Sequence, residues 1–123
     1  MNLVDSSGWV EYFLNDKKAS QFSKPIETIK NLIVPSIVVF EVFKYFLRES
    51  DETHALKAIS AMHVGNIVDL TVDLSLQAAK LSNSHKIAMA DSIILATARK
   101  FNAMIWTMDT DFKKFDNVKF FGK

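Results

Sequence analysis

"LATARKFNAMIWTMDTDF", residues 95–112, decides the fold. Its small and apolar residues up to Phe101 read as the end of a helix. "AMIW" then reads as a buried strand, and two acids, Asp109 and Asp111, stand just past its end. A helix feeding an apolar strand is the repeating unit of a parallel sheet covered by helices. The two acids can cap the turn that follows, or they can hold a metal. The choice depends on whether other carboxylates arrive at the same place.

Outward from this stretch the same alternation recurs. "NLVD" (2–5) is a short apolar run stopped by an acid, and Ser6 or Ser7 is placed to cap a helix through "GWVEYFL". A second helix is expected over 20–30. "NLIVP" (31–35) reads as a strand ended by Pro35, after which Ser36 caps "IVVFEVFKYFLRE", a helix apolar on most of its circumference and so expected to be largely buried. "DETHALKAISAMH" (51–63) is a more amphipathic helix closed by Gly65, and "NIVDL" (66–70) is a strand. Thr71 or Asp73 opens a helix through "LSLQAAKLS" that ends near Asn83, and "MADSIILATARKF" (89–101) is the next. "DFKKF" (111–115) makes a single helical turn and "VKFF" (118–121) a last strand. The expected fold is α/β, a three-layer α/β/α sandwich on a mostly parallel sheet, in one domain over 1–123.

Composition narrows the chemistry. The chain has 123 residues, 49% of them hydrophobic, enough for a core, and its 15 Lys+Arg against 14 Asp+Glu leave only +1. That excludes holding nucleic acid by bulk charge, though a local basic rim remains open. The lysines near the C-terminus (Lys113, Lys114, Lys119, Lys123) read as solvated surface. With no cysteine there is no disulfide and no thiolate zinc site. His54, His63 and His85 lack ligand spacing and read as ordinary surface residues. A bound metal must then take oxygen ligands, which points to magnesium or manganese. No signal peptide is evident, and "LIVPSIVVFEVF" is too short for a membrane span and contains Pro35 and Glu41. A soluble, cytoplasmic protein without membrane association is expected.

In an open α/β sheet, functional groups collect at the carboxyl ends of the strands. Asp5 ends the first strand, Asp109 and Asp111 follow "AMIW", and Asp91 lies in the first turn of the helix leading into that strand. Glu41 is the odd member, a carboxylate among Val39, Phe40, Val42 and Phe43. Converging carboxylates repel one another unless a cation joins them. Each acid also has a plainer reading. Asp5 is a turn residue, Asp91 complements the helix dipole, Asp109 and Asp111 make a turn and a cap, and Glu41 pairs with Lys44 or Arg48.

Taken together, "VDSSGWVEYFL", "VPSIVVFEVF", "ADSIILATARKF" and "IWTMDTDF" resemble the PIN domain, and within it the VapC toxin ribonucleases of prokaryotic toxin–antitoxin pairs. The likeness covers nearly the whole chain, with four acids in the family's order. It implies that Asp5, Glu41, Asp91 and Asp109 are the catalytic, metal-holding acids, with Asp111 an additional ligand ranked below Asp109. Ser92 departs from the alanine common after the helix aspartate. The resemblance also implies an endoribonuclease dependent on Mg2+ or Mn2+, a cognate antitoxin that blocks the site, and a homodimer.

On that reading Ser7 and Thr107 orient the carboxylates through hydrogen bonds, unless they only cap and turn the chain. Lys44 and Arg48 share a helical face with Glu41 and are candidate contacts to RNA phosphate. Trp9, Phe13, Phe43 and Phe46 are candidates for a dimer face or an antitoxin groove. Two alternatives remain at this point: an RNA-processing nuclease of the same fold without an antitoxin, and a non-catalytic binding module.

Overall fold

Strand and helix alternate as the apolar pattern demands. The computed structural model describes residues 1–122; Lys123, one of the C-terminal lysines, lies outside them. Its strands are β1 (Asn2–Val4), β2 (Leu32–Pro35), β3 (Asn66–Val68), β4 (Met104–Thr107) and β5 (Val118–Phe120). Its helices are α1 (Ser6–Phe13), α2 (Ala19–Ile26), α3 (Ser36–Glu49), α4 (Glu52–Met62), α5 (Val72–His85) and α6 (Met89–Lys100). Single 3-10 turns lie at Ile29–Asn31 and Thr110–Phe112.

All strand pairings are parallel, in the order β3-β2-β1-β4-β5, so the expected mostly parallel sheet is wholly so. Leu3, Val4, Leu32, Ile33, Val34 and Ile105 are buried, which requires cover on both faces of the sheet. Val4 and Val34 share one face, since Leu3 pairs with Ile33. On that face α1 and α2 press close: a Cβ on Gly8 would lie 2.6 Å from Val4 Cγ1 and 2.7 Å from the Phe22 ring. Trp106, level with Val4, stacks on Phe121 at 5.8 Å, and Phe121 meets Phe22 edge-on at 5.3 Å. Val68 pairs with Pro35, one residue beyond Val34, and so faces the other way. There it packs with Leu74 and Ala78 of α5 and Ile93 and Ala96 of α6. The right-handed rule for parallel crossovers accounts for this division, because chain order steps outward from β1 to β3 and then back past β1 to β4. The result is a three-layer α/β/α sandwich.

Several local expectations are corrected. Asp5, not Ser6 or Ser7, caps α1, its side chain accepting from the Gly8 amide at 3.1 Å. Helix α2 stops at Ile26 rather than continuing to 30: the Thr28 amide turns to the Pro25 carbonyl at 3.3 Å, and the Thr28 hydroxyl takes the Lys24 carbonyl at 2.9 Å that this amide would use in a longer helix. Ser36 is the first residue of α3, with Pro35 at the cap position; its hydroxyl instead accepts from the Leu70 amide at 3.2 Å, tying the chain after β3 to α3. Thr71 is the residue that caps α5. That helix runs past Asn83 to His85, ending on Lys86 in a left-handed conformation at φ 56°. Gly65 is no helix cap: α4 ends before it, and its lack of a side chain lets the chain pass Val34, 2.9 Å from where a Cβ would stand.

Helix α3 is less buried than its composition implies. Val38, Val42 and Phe46 enter the core, while Phe40 is 58% exposed and Leu47 44% exposed. Of the aromatics considered for a partner surface, Trp9 and Phe46 are buried, and Phe13 lies between them, 5.5 Å from the Trp9 ring and 6.0 Å from Phe46. These rings hold α1 against α3. Among the described residues no helix is long and apolar enough to cross a membrane.

Candidate metal centre

Neighbouring strands β1 and β4 send their chains in opposite directions across the sheet, β1 toward β2 and β4 toward β5. Such a switch opens a crevice at the carboxyl ends of the two strands. Asp5 stands at one lip, and Thr107, Asp109 and Asp111 follow at the other. Helix α6 begins at the same edge because it leads back into β4, and this brings Asp91, in its first turn, alongside.

Asp5 is buried and fully engaged. Ser7 Oγ donates to Asp5 Oδ1 at 2.7 Å and Thr107 Oγ1 donates to Oδ2 at 2.6 Å. Each hydroxyl is itself oriented by a backbone donor: the Met108 amide gives to Ser7 Oγ at 3.0 Å, and the Asp109 amide gives to Thr107 Oγ1 at 2.8 Å. With those lone pairs occupied, the hydroxyl protons point to the carboxylate. Burial drives the Asp5 carboxyl up from 3.8 to about 6, against the lowering effect of its Thr107, Ser7 and Gly8 donors, with Asp109 adding repulsion.

Asp91, Asp109 and Asp111 form a tighter group. Each offers a carboxylate oxygen, and these oxygens all lie within 4.8 Å of one another. Burial pushes Asp91 up from 3.8 to about 6, and the charges of Asp109, Asp111 and Asp5 push in the same direction. Asp109 caps the 3-10 turn, its Oδ1 accepting from the Asp111 amide at 2.9 Å. The capping role weighed for either residue therefore falls to Asp109, and Asp111 is left exposed with its carboxylate turned to the cluster.

Glu41 stands outside that group yet within its field. It is half-buried, and its carboxyl is raised first by burial and then by the charges of Asp91 and Asp109, while the Ser6 hydroxyl opposes the shift. Glu41 pairs with neither Lys44 nor Arg48. Lys44 lies over the Phe40 ring at 5.9 Å, and Arg48 reaches Glu49 at 3.2 Å. Both cations line an open cleft of about 600 Å³ with Ser6, Ser7, Glu41 and Asp109. The histidines lie elsewhere: His54 pairs with Asp51, His63 with the Ile59 carbonyl, and His85 with the Phe115 ring.

The donor set is oxygen alone, crowded and anionic, which suits a hard divalent cation such as Mg2+ or Mn2+ and not a softer metal. Joining three carboxylates through one cation would offset the mutual repulsion that adds to the effect of burial on Asp91. The resemblance ranks Asp111 below Asp109, yet its carboxylate belongs to the tight group while those of Asp5 and Glu41 do not. The signal was present as the i, i+2 spacing across a turn, but spacing alone does not say toward which neighbours the turn points.

The PIN domain family model matches residues 3–118, and the chain belongs to that family. Among solved structures it is similar to a chain of a toxin–antitoxin complex from Klebsiella pneumoniae, with 22% identity over all of both chains and a TM-score of 0.82. It is also similar to VapC20 of Mycobacterium tuberculosis, a sarcin–ricin loop cleaving toxin, with 19% identity, 96% of this chain and 98% of that one covered, and a TM-score of 0.74. A chain of VapBC2 from Rickettsia felis, bound to a DNA fragment from its promoter, matches with 14% identity over 98% and 97% and a TM-score of 0.75. At these identities the likeness is one of fold. No curated protein matches the chain in sequence.

Proposed function

We propose that this PIN-domain chain is a divalent-metal-dependent endoribonuclease and the toxin of a toxin–antitoxin pair. The observation that carries the reading is the convergence of Asp91, Asp109 and Asp111 within 4.8 Å at the crevice between β1 and β4. Family membership and the toxin folds it resembles support the same reading.

In this reading Asp91, Asp109 and Asp111 hold Mg2+ or Mn2+, with Glu41 on the cleft wall and Asp5 beneath as the further acids of the site. A cation held there would supply an ionised water as nucleophile and offset the charge of the phosphate under attack. The chain's own residues do the rest. Ser7 and Thr107 keep Asp5 ionised and fixed in orientation through their hydroxyl protons. Lys44 and Arg48 supply cations on the cleft wall that can receive RNA phosphate. Phe40 and Tyr45, in the same wall, offer ring faces to unstacked bases. No histidine is needed as a base, and none lines the cleft.

A cognate antitoxin, a homodimeric state and a cytoplasmic location belong to the same proposal. Toxin–antitoxin complexes among the similar structures support the first. Exposed apolar side chains such as Val72, Leu76 and Met89 offer surface for a protein partner.

The deciding experiment treats a pool of cellular RNA with the protein in magnesium, with the protein in chelator, and with Asp91→Asn in magnesium. Cleavage confined to the first lane is expected. Cleavage that persists in the mutant would remove Asp91 from the site. Absence of cleavage by folded, antitoxin-free protein would overturn the nuclease reading.

A further inference from the structure

A second cleft opens at the acidic cluster, and it shares no lining residue with the cleft that holds Lys44 and Arg48. It encloses about 270 Å³, and its walls include Lys86, Ile87, Ala88, Thr110, Asp111 and Lys114. Asp109 lines the first cleft and Asp111 the second, and their carboxylates belong to the one 4.8 Å cluster. The two clefts therefore meet at the acids.

The cations of this second cleft are placed and unneutralised. Lys114 Nζ donates to the His85 carbonyl at 3.3 Å and lies 5.5 Å from the centre of the Phe115 ring. Lys86 follows directly, where the left-handed end of α5 turns the chain toward α6. Neither ammonium is ion-paired with a carboxylate among the described residues, although Asp111 shares their cleft. Two lysines at the end of a helix also favour its dipole, and that role needs no ligand. It does not require them to share a cleft with Asp111, an acid of the cluster whose other cleft holds Lys44 and Arg48.

We propose that Lys86 and Lys114 form a second phosphate-binding subsite, so that a single RNA strand crosses the acidic cluster with cations on both flanks. The inference rests on the ribonuclease reading and extends it to the path of the substrate. A strand held on one side alone can pivot at the scissile phosphate. Contacts on both sides fix that phosphate over the cluster, and positioning of this kind accounts for much of the barrier lowering in phosphoryl transfer. The arrangement selects an extended single strand, since each cleft is walled and the acids stand between them.

The test measures binding, without turnover, of a labelled single-stranded RNA oligonucleotide of mixed sequence in an Asp91→Asn background. Lys86→Gln with Lys114→Gln removes both charges while leaving a side-chain donor to face the His85 carbonyl. The expected result is roughly tenfold weaker binding at ~0.1 M salt, with the log–log salt slope flattened by about 1.4, two phosphates at about 0.7 each. Lys114→Arg with Lys86→Arg should restore both. Affinity and slope unchanged by the Gln pair, from a parent that binds RNA, would overturn the subsite and leave the ribonuclease standing. A lower melting temperature with unchanged slope would confine the two lysines to the end of α5 and overturn it equally. A parent that binds no RNA, together with wild-type protein that cleaves none, would remove both readings.

Discussion

Thr107 gives its hydroxyl proton to Asp5 at 2.6 Å while the same oxygen receives the Asp109 amide at 2.8 Å. One side chain thus joins the end of β1 to the turn after β4 and sets the geometry of both. Thr107→Val keeps the shape and removes both bonds. The expected cost is about 1–3 kcal/mol, because the Asp109 amide and the buried Asp5 carboxylate each lose a partner. Magnesium affinity should fall about 10–100-fold, the range for losing a group that orients a ligand. Denaturation midpoints and metal titration read the two effects, and Thr107→Ser should recover most of each. A Val variant with wild-type metal affinity would show that Thr107 serves the fold alone.

Proton uptake gives a second handle. Without metal, folded Asp91 releases its proton near pH 6, against 3.8 as its ordinary value. Between those values the folded chain holds more protons than the unfolded chain, so this group's contribution to stability falls as pH rises through the window. Asparagine cannot ionise. Metal-free Asp91→Asn should therefore melt level with the wild type near pH ~4 and above it near pH ~7. Magnesium should reverse the order at the higher pH, since only the wild type retains the full acid set. Melting curves at both pH values, with and without magnesium, are the check, and a mutant never above the metal-free wild type counts against crowding of these acids.

Asp109 carries a cap and a charge, and the two can be separated. Asn at this position keeps an oxygen for the Asp111 amide, whereas Ala does not. Asp109→Asn should melt within about 0.5 kcal/mol of the wild type, and Asp109→Ala about 1 kcal/mol below it. Both should bind magnesium more weakly. In metal-free Asp109→Asn the Asp91 carboxyl should titrate lower than about 6, since the second-largest cause of its elevation has gone. A carbon-13 titration of the Asp91 carboxyl measures this directly, and an unmoved midpoint would separate the two acids.

Gly8 tests the packing beneath the site. A methyl group there meets Val4 and Phe22 side chains at 2.6–2.7 Å, closer than carbon atoms approach. Gly8→Ala should destabilise the protein by about 1–3 kcal/mol through overpacking. Because the Gly8 amide also holds Asp5, RNA cleavage should fall with it. A denaturation midpoint at or above that of the wild type would mean that α1 shifts freely on the sheet.

The layers and the parallel sheet were legible because period and burial are written in each segment: "NLIVP" and "AMIW" are apolar on both faces and sit beside helices. The gathering of acids was legible from strand ends and from the antiparallel course of α6 and β4. What escaped reading depends on distant partners. Asp5, Ser6 and Ser7 are all good caps, and the choice among them reflects where the β1 ladder ends. Ser36 looks like a cap in isolation, but the Leu70 amide reaches its hydroxyl from 34 residues away. Phe40 and Leu47 look like core, but only the sheet's width decides how much of α3 it covers. Asp111 is readable from sequence as either a further ligand or a cap, but the turn of backbone that carries it to the cluster and leaves the cap to Asp109 is specified by no residue spacing.

The wholly parallel sheet has a consequence for synthesis. Among the described residues no strand pairs with its neighbour in sequence through a hairpin, and central β1 pairs with β2 and with β4, about a hundred residues later. Ribosomes release residues in order, so Asp5 emerges long before Thr107, Asp109 and Asp111 exist. Contacts so far apart in the chain form late in folding. A nascent chain therefore carries its first acid without the hydroxyl that orients it or the two carboxylates that complete the cluster. The acidic cluster is assembled only once β4 and its following turn have left the exit tunnel, and until then a growing chain has no place at which the three carboxylates could share a cation.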